Sequence, residues 1–317
     1  MKGLLRSRWS LAMTGFLLLL PLIDPNPYHM EIFATAALYA LLALGLNIIV
    51  GFAGLLHLGY AAFFAIGAYT YGLLNLRAGC PFWLGLPISA LSAGIAGVLL
   101  GLPAVRVRGD YLAIVTLGFG EIVRIMVTNL ESWTGGPNGL LGIAHPAIGA
   151  FHFGVDSKPY YWLLFVLVEM TAWISARLRR SRIGLAWVAL REDELAARCL
   201  GIDAARLKWL ALGLGGGVAG LAGCVFAAKQ GTITPDSFDF ILSVMVLAMV
   251  ILGGLGSVRG AILGACVLSI APELLRGFST YRMLLFGALM ILLMRIRPQG
   301  LLGLEAIRRE LKVHAAA

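Results

Sequence analysis

Charged side chains are scarce enough in this sequence that each one inside an apolar run is a candidate for chemistry. Glu121 and Arg124 stand one turn apart in YLAIVTLGFGEIVRIMV, a run with no other charge. Helical spacing sets them on one face. Glu121 lies 11 residues beyond Asp110, about 16 Å along a helix and therefore near the middle of a bilayer. The chemistry on offer is an ion pair neutralised in the protein interior, with direct contact to a translocated substrate as the lesser alternative. Asn47, Thr116 and Ser243 are groups of the kind that hydrogen-bond between spans. His57, in Gly54-Leu-Leu-His57-Leu-Gly59, reads as a packing or interfacial residue ahead of a proton carrier. Cys80, Cys199, Cys224 and Cys266 form no C-x-x-C, and the 5 histidines form no H-E-x-x-H. Neither a disulfide framework nor a metal site is expected. No Ser/His or paired-Asp constellation supports catalysis in this chain.

Nucleotide chemistry is also missing from the pattern. The sequence contains no G-x-x-x-x-G-K-[ST], so ATP would have to be bound by another chain. Gly215-x-Gly217-x-x-Gly220 matches a dinucleotide fingerprint, but it lies in an apolar stretch with no strand before it. Close helix packing is the better reading, because small residues let spans approach.

The elements that must position these residues follow from composition. Charged residues make up 13% of the 317 and apolar ones 60%, whereas a soluble domain carries about 25% charge. Only a bilayer accommodates such a surface, and the same composition excludes disorder. Apolar stretches bounded by charge, Gly and Pro predict spans near 9–23, 32–50, 58–76, 82–103, 111–128, 160–178, 209–227, 240–258, 260–275 and 283–295. The first resembles a signal peptide but lacks an A-x-A-like site before Asp24-Pro25, and it reads as a retained span. With a cytoplasmic N-terminus, 19 of the 25 basic residues fall inside and 5 outside, with Arg124 in a span. That asymmetry obeys the positive-inside rule. It accounts for the net charge of +9 without nucleic acid as a partner.

Two loops exceed simple turns. The external one, 129–159, carries Trp133-Thr-Gly135-Gly136-Pro137-Asn138-Gly139. It is either a docking surface for an external partner or a lid closing the bundle. The internal one, 179–208, reads SRIGLAWVALREDELAARCLGIDAARLK from Ser181 and predicts a short helix or two. Leu185, Val188, Leu195, Cys199 and Ile202 share an apolar stripe interrupted by Glu192. Arg191, Glu194 and Arg198 fall on the neighbouring face, and Gly201 supplies a left-handed stop. A pure topology signal needs charge but no stripe, so a helix docking on a cytoplasmic partner is favoured.

Ordered motifs over about 32–300 carry a family resemblance. Ala43-Leu-Gly-Leu-Asn47 through Gly51-Phe-Ala-Gly54, and Leu58-Gly-Tyr-Ala-Ala-Phe-Phe-Ala-Ile-Gly-Ala-Tyr69, resemble the opening signature of branched-chain amino acid ABC transporter permeases. Arg106 to Arg124 followed by Thr134-Gly-Gly-Pro-Asn-Gly139 is similar to the LivM-type members. Ser181-Arg-Ile-Gly184, Ala189 to Ala197 and Leu200-Gly-Ile202 resemble the family's coupling segment, and Val250 to Gly260 its late Gly-rich signature.

The resemblance implies an all-α polytopic permease of about ten helices, non-catalytic, importing leucine, isoleucine or valine. Its implied partners are a LivH-like second permease, two ATPases holding ATP and Mg, and an external substrate-binding protein; the chain itself needs no cofactor. The implied ATPase-coupling residues are Arg191, Glu192, Asp193, Glu194, Ala197 and Gly201, although Gly201 follows Glu194-Leu-Ala-Ala one place later than the general E-A-A-x-x-x-G pattern. Asn47, His57, Thr116, Glu121 and Arg124 are pathway or packing candidates. Trp133, Gly135, Gly136, Pro137 and Asn138 are external docking candidates. The implied place is a bacterial or archaeal cytoplasmic membrane, with residues 1–31 leading into a permease core at 32–300 and a cytoplasmic tail at 301–317. Urea, short amides or another hydrophobic amino acid remain as same-family cargo, and a proton-driven transporter using Glu121 or His57 is the alternative from another class.

Overall fold

The computed structural model describes residues 26–274 except 105, 106, 108, 149, 150 and 155, together with 287, 291, 295 and 300–302. The expected span at 9–23, that at 283–295 apart from residues 287, 291 and 295, and the tail beyond 302 lie outside the described residues. Helix α1, Pro27–Leu46, starts where Asn26 accepts a hydrogen bond from the Tyr28 amide and Pro27 presets the first turn. It runs on as a π-helical segment, Asn47–Phe52. After a break come α2, Tyr60–Ala78, α3, Phe82–Ala104, and α4, Asp110–Asn129. A compact crossing contains α5, Glu131–Thr134, and strands β1, Leu140–Leu141, β2, Ala147–Ile148, and β3, Phe151–His152.

Helix α6, Ser157–Arg179, returns to the other end of the bundle. There α7, Arg182–Glu192, is capped by Ser181, and α8, Glu194–Cys199, is capped by Asp193. The long α9, Ala204–Gln230, then crosses to β4, Thr232–Ile233, and α10, Phe240–Gly253, and α11, Val258–Leu274, follow. Strand β4 pairs antiparallel with β1, Ile233 opposite Leu140, and β2 pairs with β3. The bundle therefore has a sheet end and, opposite it, a basic end formed by α7 and α8.

Among the described residues, 6 helices are long and apolar enough to cross a membrane, against the ten spans expected. Two expected spans, 58–76 and 260–275, are not among the 6. Helix α2 is diluted by Tyr69, Thr70, Tyr71, Asn75 and Arg77 and is mostly buried by its neighbours. Helix α11 is described only as far as Leu274, over 17 residues.

The core forms where α9 lies against α2 and α3. A Cβ on Gly220 would stand 2.3 Å from the Ser89 carbonyl oxygen, and one on Gly217 would stand 3.3 Å from that of Ala90. The fingerprint-like glycines thus serve backbone approach between helices. The buried Tyr60 donates to the Gly215 carbonyl at 2.9 Å, and the buried Phe63 packs beside Gly216.

Candidate functional site

At the basic end, the expected continuous stripe is divided. Asp193 adopts an extended conformation, φ −153°, and separates α7 from α8 while its carboxylate accepts from the Leu195 and Ala196 amides. Arg191, grouped with Glu194 on the sequence, turns away from it. Its Nη1 donates to the Gly51 carbonyl at 2.7 Å, and its stem lies over Gly54, where an added Cβ would come within 2.7 Å of Arg191 Cγ. Gly256 sits beside the same guanidinium and donates its amide to Asn47 Oδ1 at 2.9 Å. Arg191 therefore ties α7 to the π segment, which Asn47 in turn bonds to the turn between α10 and α11.

Glu194 is held from two sides, by Arg198 at 2.6 Å and by Lys208 at 3.1 Å. Lys208 is only 3% exposed, so this carboxylate neutralises a nearly buried ammonium. Ala197 is buried, and Gly201, φ +79°, ends α8 in the left-handed region as its position predicts. Glu192 is left exposed beside Leu185, Leu195 and Cys199, while Val188 and Ile202 are half-buried. Leu200, outside the expected stripe, is 79% exposed, and Ile183 adds to the same apolar surface. Helical periodicity drawn through Asp193 misses Leu200; the Asx cap at Asp193 was the signal for the break.

Midway along the bundle the other candidates separate into three groups. Thr116 Oγ1 accepts from the Leu58 amide and donates to the Ala113 carbonyl. Asn47 is buried and bonded through Oδ1, with Nδ2 unpartnered among the described residues. His57 is fully buried against Tyr60 and Phe63, and neither ring nitrogen has a partner among the described residues. Glu121 and Arg124 do pair, Oε2 to Nε at 3.0 Å, but with 36% and 39% of their side chains exposed. Instead of the expected interior site, they occupy the open face of α4.

At the sheet end, Arg77 donates to the Ser132 carbonyl at 2.6 Å and stacks over Trp133 at 4.3 Å. Gly135 and Gly136, both at positive φ, fold the Gly-Gly-Pro-Asn turn back on itself. Trp133, Gly135, Pro137 and Asn138 are exposed and Gly136 is buried. The Trp83 indole donates to Ala147 and closes this cap against α3. Among the described residues no group of three or more His, Cys, Asp or Glu is placed to hold a metal ion.

A family model described as branched-chain amino acid transport system, permease component, matches residues 28–294. The chain belongs to this family. The permease is 46% identical over 308 residues to the high-affinity branched-chain amino acid transport system permease protein LivM of Escherichia coli strain K12, a match covering 90% of this chain and 72% of that one. It is 26% identical over 314 residues to a probable branched-chain amino acid transport permease protein LivM of Methanocaldococcus jannaschii, covering 84% and 90%. The LivH permease of Salmonella typhimurium strain LT2 is 25% identical over 290 residues, covering 86% of this chain and 93% of that one. No solved structure matches.

Proposed function

We propose that this LivM-type permease forms one half of the membrane pathway of an ATP-driven importer for branched-chain amino acids. A related LivH-like chain supplies the other half. The reading has about ten spans with both ends of the chain in the cytoplasm, in a bacterial or archaeal cytoplasmic membrane. Two ATPase subunits carry ATP and Mg, and a binding protein on the outside delivers leucine, isoleucine or valine.

One observation carries the mechanism. Helices α7 and α8 present Leu185, Leu195 and Leu200 outward, while Arg191 and Glu194 anchor the same segment inward. An apolar face gives an ATPase a grip, and charge-assisted bonds of about 1.5–3 kcal/mol make the grip stiff. Movement of the ATPase pair then displaces the π segment through Arg191, and the α10–α11 turn with it, because Asn47 of that segment accepts from the Gly256 amide. ATP shifts the conformational equilibrium only through its different affinity for the two ATPase arrangements.

Purification in mild detergent, identification of the accompanying chains and reconstitution of the set test this reading. Expected is recovery of an ATPase and a second permease, with leucine uptake that needs ATP and survives collapse of a proton gradient. Uptake by the isolated chain, or uptake that follows the proton gradient alone, would reject it.

A further inference from the structure

The open ion pair on α4 lies next to a cleft in which two helices begin inside the membrane. Gly59, just before α2, abuts the middle of α4: a Cβ there would fall 1.9 Å from the Thr116 carbonyl oxygen and 3.2 Å from the Gly120 amide. Helix α10 starts at the same level, since Ser243 in its first turn accepts from the Ala61 amide at 2.9 Å. The cleft between them measures about 200 Å³ with its open mouth included; Glu121, Asp239 and Ser243 line its polar side, and apolar residues that include Leu117, Phe238 and Phe240 line the rest. Broken helices at mid-membrane are tolerated where they are buried or line a polar cavity, and in transporters they build substrate sites.

The charges of α4 point the same way. Its span is the least buried of the 6, with 22% of it covered. Glu121 and Arg124, each more than a third exposed, would be costly against lipid tails. An added Cβ on Gly118, on the same stretch, meets nothing within 4 Å. The most exposed residues of α4 are apolar, Tyr111, Ile114, Ile122, Ile125 and Met126, so the two opposite charges stand at the edge of that face beside the cleft, where a polar zwitterion can pair with them. On its polar side Asp239 and Glu121 offer carboxylates to an ammonium head, while Arg124 is one turn away to meet a carboxylate.

We infer that the cleft at Glu121, Asp239 and Ser243, together with Arg124, is a way-station on this subunit for the α-ammonium and α-carboxylate groups of an amino acid in transit. The assignment rests on the permease reading above and adds to it which atoms of the cargo this chain touches. Side-chain selectivity is not demanded of such a station, because every α-amino acid offers the same two charged groups.

The test is uptake of radiolabelled leucine into proteoliposomes by the complete reconstituted transporter, with assembled yield and ATP hydrolysis measured in parallel. Glu121→Gln and Arg124→Gln are each expected to lower uptake about tenfold or more with hydrolysis retained. The decisive variant exchanges the charges, Glu121→Arg with Arg124→Glu. It preserves an i,i+3 pair but presents each charge to the wrong end of the cleft, so yield recovers and uptake does not. Wild-type uptake in the exchanged variant overturns the inference and leaves a packing pair. Asp239→Asn, whose side chain still caps α10, gives a second reading if the α4 variants assemble poorly: slowed uptake supports the station and unchanged uptake overturns it. Failure of the unaltered complex to drive ATP-dependent uptake would instead remove the permease reading itself.

Discussion

At the scale of single residues, stability depends on positions where a missing or paired group cannot be replaced cheaply. Gly59 packs its Cα against the α4 backbone, so Gly59→Ala forces two elements apart. The expected cost is about 1–3 kcal/mol, read as a lower thermal midpoint of the detergent-solubilised complex. Gly118→Ala on the neighbouring helix meets open space and should be neutral or stabilising by up to about 1 kcal/mol. Equal losses at both positions would show that Gly59 is not in close contact. Lys208 offers a second case, since its ammonium is buried and Glu194 is its partner. Glu194→Ala should cost about 3–5 kcal/mol by stranding that charge. The double variant Glu194→Ala/Lys208→Met should recover most of it; a strictly additive pair of losses would refute the coupling.

At the scale of elements, the proposed mechanism makes the segment between α6 and α9 a lever whose pivot is Arg191. Arg191→Ala removes the bond to Gly51 but leaves Leu185, Leu195 and Leu200 exposed for docking. ATP hydrolysis should therefore persist while uptake falls by about tenfold or more, consistent with loss of a charge-assisted bond. Leu195→Ser with Leu200→Ser should do the reverse and reduce recovery of the ATPase during purification. If the arginine variant loses the ATPase and the leucine variant keeps it, the two roles are interchanged. This division was only half legible in the sequence. Runs of apolar residues set the positions of α1, α3, α4, α6, α9 and α10, because a span must remain apolar for its whole length. The Asp193 break, the π segment and the pairing of Leu140 with Ile233 depend on contacts between distant positions, which periodicity does not encode. Arg191 stands out in the sequence as a candidate through its charge and helix, but its direction depends on the carbonyl of Gly51, 140 positions away. The Glu121–Arg124 pair was found correctly as a pair, and its exposure could not be read from spacing because spacing does not say which helix face has a neighbour.

At the scale of the whole molecule, the fold has two chemically different ends, and the direction of transport depends on which one faces the cytoplasm. Basic residues gather around α7, α8 and the start of α9, whereas the sheet end carries Arg77, Lys158 and Lys229. The membrane potential and insertion machinery retain clustered Lys and Arg on the cytoplasmic side. Two native thiols allow a direct check. Cys199 is exposed at the basic end in α8, and Cys80 follows α2 at the sheet end with partial exposure. In variants keeping one of them and replacing the other three cysteines by Ser or Ala, a membrane-impermeant maleimide applied to spheroplasts should modify Cys80 and spare Cys199 until the membrane is permeabilised. The opposite pattern would place α7 and α8 outside, where no ATP-driven partner could reach Leu195 and Leu200, and the lever argued from Arg191 would lose its motor.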